Sequence, residues 1–163
     1  MTLSSRSEQW LQTISAMDIS AAERVALGRA ILRMVPGEGV LLSHISFGVR
    51  SLPRSMAFYD AVLEPLGSVR VWTDSKAAGY GPRGGNDCFA LFEHPDMAPP
   101  GSGFHLAFNA ASREAVNQFH AAGMAAGAND HGAPGLRPHY GPMYYACFVA
   151  DPDGYKLEAV CQS

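Results

Sequence analysis

From residue 40 onward the chain switches between two periods. Along Leu41–Val49 apolar and polar positions alternate, with Ile45, Phe47 and Val49 on one face and His44, Ser46 and Gly48 on the other. That is the period of a half-buried strand. Over Ser55–Leu66 the period lengthens: Met56, Tyr59, Val62, Leu63 and Leu66 form one apolar side of a helix, which Gly67 ends. Three further short strands are predicted over Val69–Thr73, Ala77–Gly81 and Cys88–His94, punctuated by Pro82 and Gly84-Gly85. Residues 95–103, rich in Pro and Gly, form a connector and the best internal boundary.

The same layout then returns. Phe104–Asn109 is strand-like, with Phe104, Leu106 and Phe108 on one face and His105, Ala107 and Asn109 on the other. A helix opens at Ser112, runs through Val116, Phe119 and Met124, and stops at Gly127. Asn129–Pro142 reads as a loop. Tyr144–Ala150 and Tyr155–Cys161 are strands on either side of Asp151-Pro152-Asp153-Gly154, a strong turn signal. His44 and His105, Phe47 and Phe108, and Phe58 and Phe119 are all 61 positions apart. A constant offset across strand and helix marks two copies of one unit. The expected fold class is α+β. Residues 1–38 differ: Ser5 with Glu8 and Ser20 with Glu23 have capping-box spacing, and Val25, Leu27, Ile31 and Leu32 precede Pro36-Gly37. They predict an N-terminal helical extension with a packing or dimer-contact role.

Composition narrows the function. The 163 residues are 47% hydrophobic and 17% charged, enough apolar content for a core and unlike a disordered chain. The net charge of -3 offers no basic excess for phosphates, so no nucleic-acid partner is expected. No apolar run reaches the ~20 residues of a membrane span, and the N-terminus lacks a signal-peptide layout. Three scattered cysteines, Cys88, Cys147 and Cys161, do not make a disulfide framework. The expectation is a cytoplasmic protein in a reducing compartment.

The candidate chemistry lies on the polar strand faces. His44 and His105 occupy equivalent points of the two units, opposite the large hydrophobes that must meet the helices. If the two sheets curl toward each other, the histidines converge. On the last strand Glu158 shares a face with Lys156 and Val160. A carboxylate in an apolar strand is costly unless paired or metal-bound. It can pair with Lys156 or Arg70, or complete a facial triad of two histidines and one carboxylate, which leaves open positions on an octahedral ion. The stretch 136–145 concentrates Arg137, His139, Tyr140, Tyr144 and Tyr145 in an irregular connection beside a sheet, a frequent place for function. His139 suits acid–base work near neutral pH. Tyr144 suits a hydrogen bond to a bound oxygen.

The segments His44-Ile-Ser-Phe-Gly-Val and Ser55–Gly67, with Phe104-His-Leu-Ala-Phe and Phe148-Val-Ala-Asp-Pro-Asp-Gly-Tyr-Lys-Leu-Glu158, resemble the vicinal oxygen chelate superfamily. That superfamily includes glyoxalase, extradiol dioxygenases, and the fosfomycin and bleomycin resistance proteins. The resemblance covers about residues 40–162. It implies two βαβββ modules, 40–95 and 103–162 within a domain of 39–163, forming a cupped, partly open barrel. It implies His44, His105 and Glu158 as ligands of one divalent transition metal, Fe, Mn, Zn or Ni. Beside these, His139 and Tyr144 are the candidate catalytic residues from the 136–145 stretch, and Arg137, Tyr140 and Phe148 the candidate substrate contacts. Ala90 stands where resembling glyoxalases carry a fourth, proton-moving Glu, and a methyl group cannot replace a base. The implied activity is therefore a metal-dependent reaction on a small oxygen-rich substrate, of dioxygenase, lyase or transferase type, in a homodimer. The rival is a metal-free small-molecule binder like the bleomycin resistance proteins.

Overall fold

The structure is a computed structural model that describes Ser20 and residues 42–163. The expected helices of 1–38 lie outside these residues, Ser20 apart. His44–Ser163 forms one compact unit. It contains β1 (Ile45–Val49), α1 (Leu52–Leu63), a 3-10 turn (Glu64–Leu66), β2 (Ser68–Thr73), β3 (Ala77–Pro82) and β4 (Phe89–Glu93). The second set is β5 (Leu106–Asn109), α2 (Arg113–Ala125), β6 (Asn129–Leu136), β7 (Tyr145–Ala150) and β8 (Lys156–Cys161). No helix of the described residues is long and apolar enough to cross a membrane.

Two modules of the predicted kind result. The first sheet has the order β1-β4-β3-β2 and the second β5-β8-β7-β6. In each, the first and last strands pair in parallel and the other neighbours antiparallel. The ladders repeat in register: Ser46 pairs with Ala90 as Ala107 pairs with Glu158. Ala90 is thus the ladder equivalent of Glu158. Ile45 and Leu106 are 61 positions apart, whereas their partners Phe89 and Leu157 are 68 apart. The second module is longer inside. Its β6–β7 connection spans residues 137–144, against Asp74, Ser75 and Lys76 between β2 and β3.

Both helices are set by local signals. Pro53 in the first turn of α1 fits where its missing N–H costs nothing, so the helix begins at Leu52, earlier than the apolar pattern places it. Ser51 makes no side-chain cap; instead Glu93 Oε1 accepts from the Leu52 N–H at 3.1 Å. Glu93 therefore turns to the helix side of its sheet, as strand alternation requires. Gly67, at φ 78°, ends the 3-10 turn in the left-handed region. Ser112 caps α2 by accepting from the Ala115 N–H at 3.1 Å.

The apolar sides of both helices and both sheets meet in one core. Phe58, Tyr59, Val62 and Leu63 of α1, and Val116 and Phe119 of α2, are all essentially sealed from solvent. Each such side chain contributes roughly 1.5–3 kcal/mol by burial. The helices pack closely at Gly123, where a Cβ would stand in ordinary contact, 3.6 Å from Val62 Cγ1. Core-side rings of the two sheets touch directly. Phe47 stacks on Tyr155 at 3.9 Å between centroids, and Phe89 meets Phe108 edge-on at 5.7 Å. The outer faces, carrying Ser46 and Ala107, turn away from this shared core and not toward each other.

A buried polar knot joins the modules at the β7–β8 turn. Asp153 accepts from the Arg50 N–H at 3.2 Å, the Arg50 guanidinium at 3.3 Å, the Ser55 hydroxyl at 3.2 Å, and the Arg54 guanidinium. Asp151 accepts from the Tyr59 hydroxyl at 2.7 Å, and the Tyr155 hydroxyl donates to the Gly48 carbonyl at 3.0 Å.

Three sequence expectations need correction. Asn129–Pro142 is not all loop: residues 129–136 form β6. Its pairing with β7 slips between Asp130 and Gly132 and again between Gly132 and Gly135, so no clean alternation survives for a pattern to reveal. β1 starts at Ile45, not Leu41, and β5 at Leu106, not Phe104, which puts His44 and His105 immediately before their strands. Glu158 pairs with neither Lys156 nor Arg70; Arg70 instead pairs with Asp60 at 3.2 Å.

Candidate active site

Glu158 is the centre of the second module's outer face. Its neighbours in the ladder are Ala107 on β5 and Phe148 on β7. The side chain is only 2% exposed, so its charge depends on local partners. The Tyr144 hydroxyl donates to Oε1 at 2.6 Å. His105 Nε2 lies 3.3 Å from Oε2, with the imidazole about half exposed at 48%. Burial, and then the hydrogen bond to Glu158, push the Tyr144 phenol up to about 12, so it remains a donor at every physiological pH. Tyr144 thus fixes one carboxylate oxygen and leaves the other beside the histidine.

A cavity of about 380 Å³ opens over this pair. Its floor holds Glu158, Phe148 and Gly132, and His105 and Lys156 come from the β5–β8 edge. The long β6–β7 connection supplies Arg137, His139, Tyr140 and Tyr144, and His131 of β6 adds a third imidazole. The rings of His139 and Tyr140 lie 4.1 Å apart, and those of Tyr140 and Tyr144 5.2 Å apart, which makes an aromatic wall. Every residue named here belongs to the second module.

The structure therefore brings together His105, Glu158, Tyr144, Arg137, His139, Tyr140 and Phe148 from the sequence-predicted set. It does not bring in His44, which precedes β1 on the other sheet and is absent from the residues that line this cavity. Three cavity residues had no role assigned from sequence: Lys156, His131 and Gly132. Lys156 was visible as a face-mate of Glu158; His131 was legible only as a residue of the long connection able to line the cup, and it sits in the slipped strand.

The donor set can be tested against a metal. His105 Nε2 and Glu158 Oε2, 3.3 Å apart, are close enough to sit on one ion at ~2.0–2.2 Å from each. Among the described residues, no three His, Cys, Asp or Glu side chains gather for a metal. One chain thus supplies two donors of a suitable kind at a suitable spacing.

The model of the Glyoxalase/Bleomycin resistance protein/Dioxygenase superfamily matches residues 41–159. The chain belongs to this superfamily. A glyoxalase/bleomycin resistance protein from Albidiferax ferrireducens is 34% identical, with a TM-score of 0.63 over 74% of this chain and 98% of that one. More distant structures share the fold. The fosfomycin resistance protein FosX from Listeria monocytogenes has 19% identity and a TM-score of 0.58, over 76% of this chain and 94% of that one. A bleomycin-binding protein complexed with bleomycin has 21% identity and a TM-score of 0.52, over 76% of this chain and 100% of that one. No curated protein matches the chain. In this vicinal oxygen chelate fold Glu158 pairs in the ladder with Ala107, and His105, just before β5, reaches it through its side chain.

Proposed function

We propose that this chain is a divalent-metal-dependent enzyme acting on a small oxygen-rich substrate, with a site completed by a second copy of the chain. The observation that carries the reading is the His105–Glu158 pair, 3.3 Å apart beneath a cavity of about 380 Å³. His44 occupies the place in the first module that His105 occupies in the second. The outer faces of the two sheets are turned apart within a chain. They meet only if the first sheet of one copy closes on the second sheet of another, which a two-fold dimer does twice. His44, His105 and Glu158 then hold the ion, and the paired sheets form the partly open barrel.

When bound, a divalent ion (iron, manganese, zinc or nickel) supplies Lewis acidity to two neighbouring substrate oxygens. The chain's own residues do the rest. Tyr144 holds Glu158 through Oε1, which keeps Oε2 directed at His105. Phe148 gives the substrate a flat apolar platform, and Tyr140 closes one side. His139, exposed at the rim, is placed to exchange a proton with the substrate. Ala90 offers no base at the ladder equivalent of Glu158, which favours dioxygenase, other lyase or transferase chemistry over that of ordinary glyoxalases. The free thiols Cys88, Cys147 and Cys161 fit a reduced, cytoplasmic setting.

One observation favours a second reading, a metal-free small-molecule binder: Tyr144 and His105 together already partner both oxygens of Glu158. Elemental analysis of protein purified without chelators separates the two. The metalloenzyme reading expects about one equivalent of transition metal per chain, lost in His105→Ala. No metal in either protein, even after incubation with each of the four ions, overturns it and leaves the binder.

A further inference from the structure

The cavity carries more positive charge than its candidate chemistry uses. Arg137 and Lys156 both line it, and among the described residues neither forms an ion pair. Both lie on one aromatic ring. The Arg137 guanidinium carbon is 5.7 Å and the Lys156 ammonium 5.0 Å from the centroid of Phe148. The cavity's carboxylate, Glu158, is committed to Tyr144 and His105. Two permanent cations thus face one anion in the cavity of a chain whose overall charge is -3. A protein gains no stability from leaving two cations together unpaired, so the arrangement points to a ligand that supplies the missing negative charge.

Arg137 is also seated for such a ligand. Its guanidinium donates to the Ala133 carbonyl at 2.7 Å and to the Leu136 carbonyl at 3.3 Å. It lies across bare β6 backbone. A Cβ at Gly135 would stand 2.9 Å from Nη1, and one at Gly132 would stand 3.6 Å from Nη2 and 3.2 Å from the Phe148 ring. Two carbonyls hold the fork before any ligand arrives, and the missing side chain at Gly135 makes room for it, which lowers the ordering cost of binding. Lys156 reaches the same ring from β8, beside Glu158.

We propose that the Arg137–Lys156 pair is a subsite for an oxyanion group of the substrate, a carboxylate or a phosphonate. The proposal deepens the functional reading above and rests on it for the identity of the site. The substrate is then a small organic acid whose charged end meets Arg137 and Lys156 and whose reacting oxygens lie toward His105 and Glu158. Arginine contributes a planar fork that matches two oxyanion oxygens, and lysine adds a point charge.

The test uses the full chain stripped of metal with a chelator, so that it does not depend on the metal reading. Methylphosphonate and acetate are titrated while backbone amide resonances of Gly132, Gly135 and Phe148 are followed, with chloride at matched ionic strength as the control. The expected result is a saturable shift of these amides with both oxyanions and not with chloride, stronger for the dianion. Lys156→Met, which removes charge from a side chain with no hydrogen bond to the backbone, weakens methylphosphonate binding by about tenfold. Arg137→Gln does the same or more, though it also releases the carbonyls of residues 133 and 136. Shifts equal to those with chloride, or binding undiminished in Lys156→Met, overturn the proposal. If anions bind as expected but no metal is ever taken up, the metal reading fails and this subsite stands.

Discussion

Replacing Asp153 with Ala tests how the two modules are joined. The Asp153 side chain is fully buried and accepts from the Ser55 hydroxyl, the Arg50 N–H and two guanidinium groups. The two arginines are 44% and 48% exposed, so water replaces much of what they lose, and each contributes only about 0–1 kcal/mol. Ser55 is 1% exposed, and a buried hydroxyl left without an acceptor costs about 1–3 kcal/mol. The orphaned Arg50 N–H adds about 1 kcal/mol. The sum is about 2–6 kcal/mol, a large share of the ~5–15 kcal/mol that a domain of this kind has. Urea unfolding followed by circular dichroism reads it as a lower midpoint with an unchanged slope. A second substitution checks the cause. In the Asp153→Ala background, Ser55→Ala removes the orphaned hydroxyl and costs little or restores stability, whereas in the native background it destabilises. A loss below about 1 kcal/mol for Asp153→Ala, or equal effects of Ser55→Ala in both backgrounds, refutes the assignment of this knot as the joint.

Three further outcomes follow from the geometry. Ultraviolet titration of tyrosinates shows one group with a midpoint at about 12 that disappears in Tyr144→Phe; its hydrogen bond to Glu158 is present below the ordinary phenol range and lost as pH rises through that midpoint. An unchanged titration curve in the variant refutes the Tyr144–Glu158 contact. Asp151 is held above the usual carboxylate range by burial, so its favourable contribution is fully present below the unfolded-state value near ~3.9 and is lost as pH rises through the folded value. The stability advantage of the native chain over Asp151→Asn therefore shrinks with rising pH across that window, and a gap independent of pH contradicts the assignment. Gly79→Ala would place a Cβ 2.1 Å from Trp72 Nε1, so the indole must move off the first sheet's outer face. A shifted tryptophan emission maximum is the expected readout, and an unaltered spectrum counts against the close ring–backbone contact.

Much of the fold was legible because the chain states it twice. The offset of 61 between Phe47 and Phe108 and between Phe58 and Phe119 reports equivalent core positions, and all four rings join the shared core. Alternation along β8 also put Glu158 on the same side as Lys156, and both line the cavity. Alternation failed at β6, where glycines and slipped pairing replace a regular ladder. Pattern also could not say which way the modules turn. That direction follows from long-range contacts such as Phe47 on Tyr155 and Phe89 on Phe108, which no local period encodes. For the same reason the sequence aligned His44 with His105 but could not tell convergence within a chain from convergence between chains. Arg137 and Phe148 were named from sequence as substrate contacts, but Lys156 was not, because only the ring of Phe148 ties it to Arg137.

The central claim is that His44 of one copy and the His105–Glu158 pair of another share one ion, and complementation tests it most directly. His44→Ala and His105→Ala chains are purified separately, then unfolded together and refolded as a mixture, and bound metal is counted per chain. Each variant alone should hold none. In the mixture, half of randomly formed dimers are mixed, and each mixed dimer has one site with all three ligands intact. About a quarter of the native metal content should therefore return. If the mixture binds no more than the separate variants while the native chain binds metal, the ligands lie within a single chain and the two-chain site is wrong.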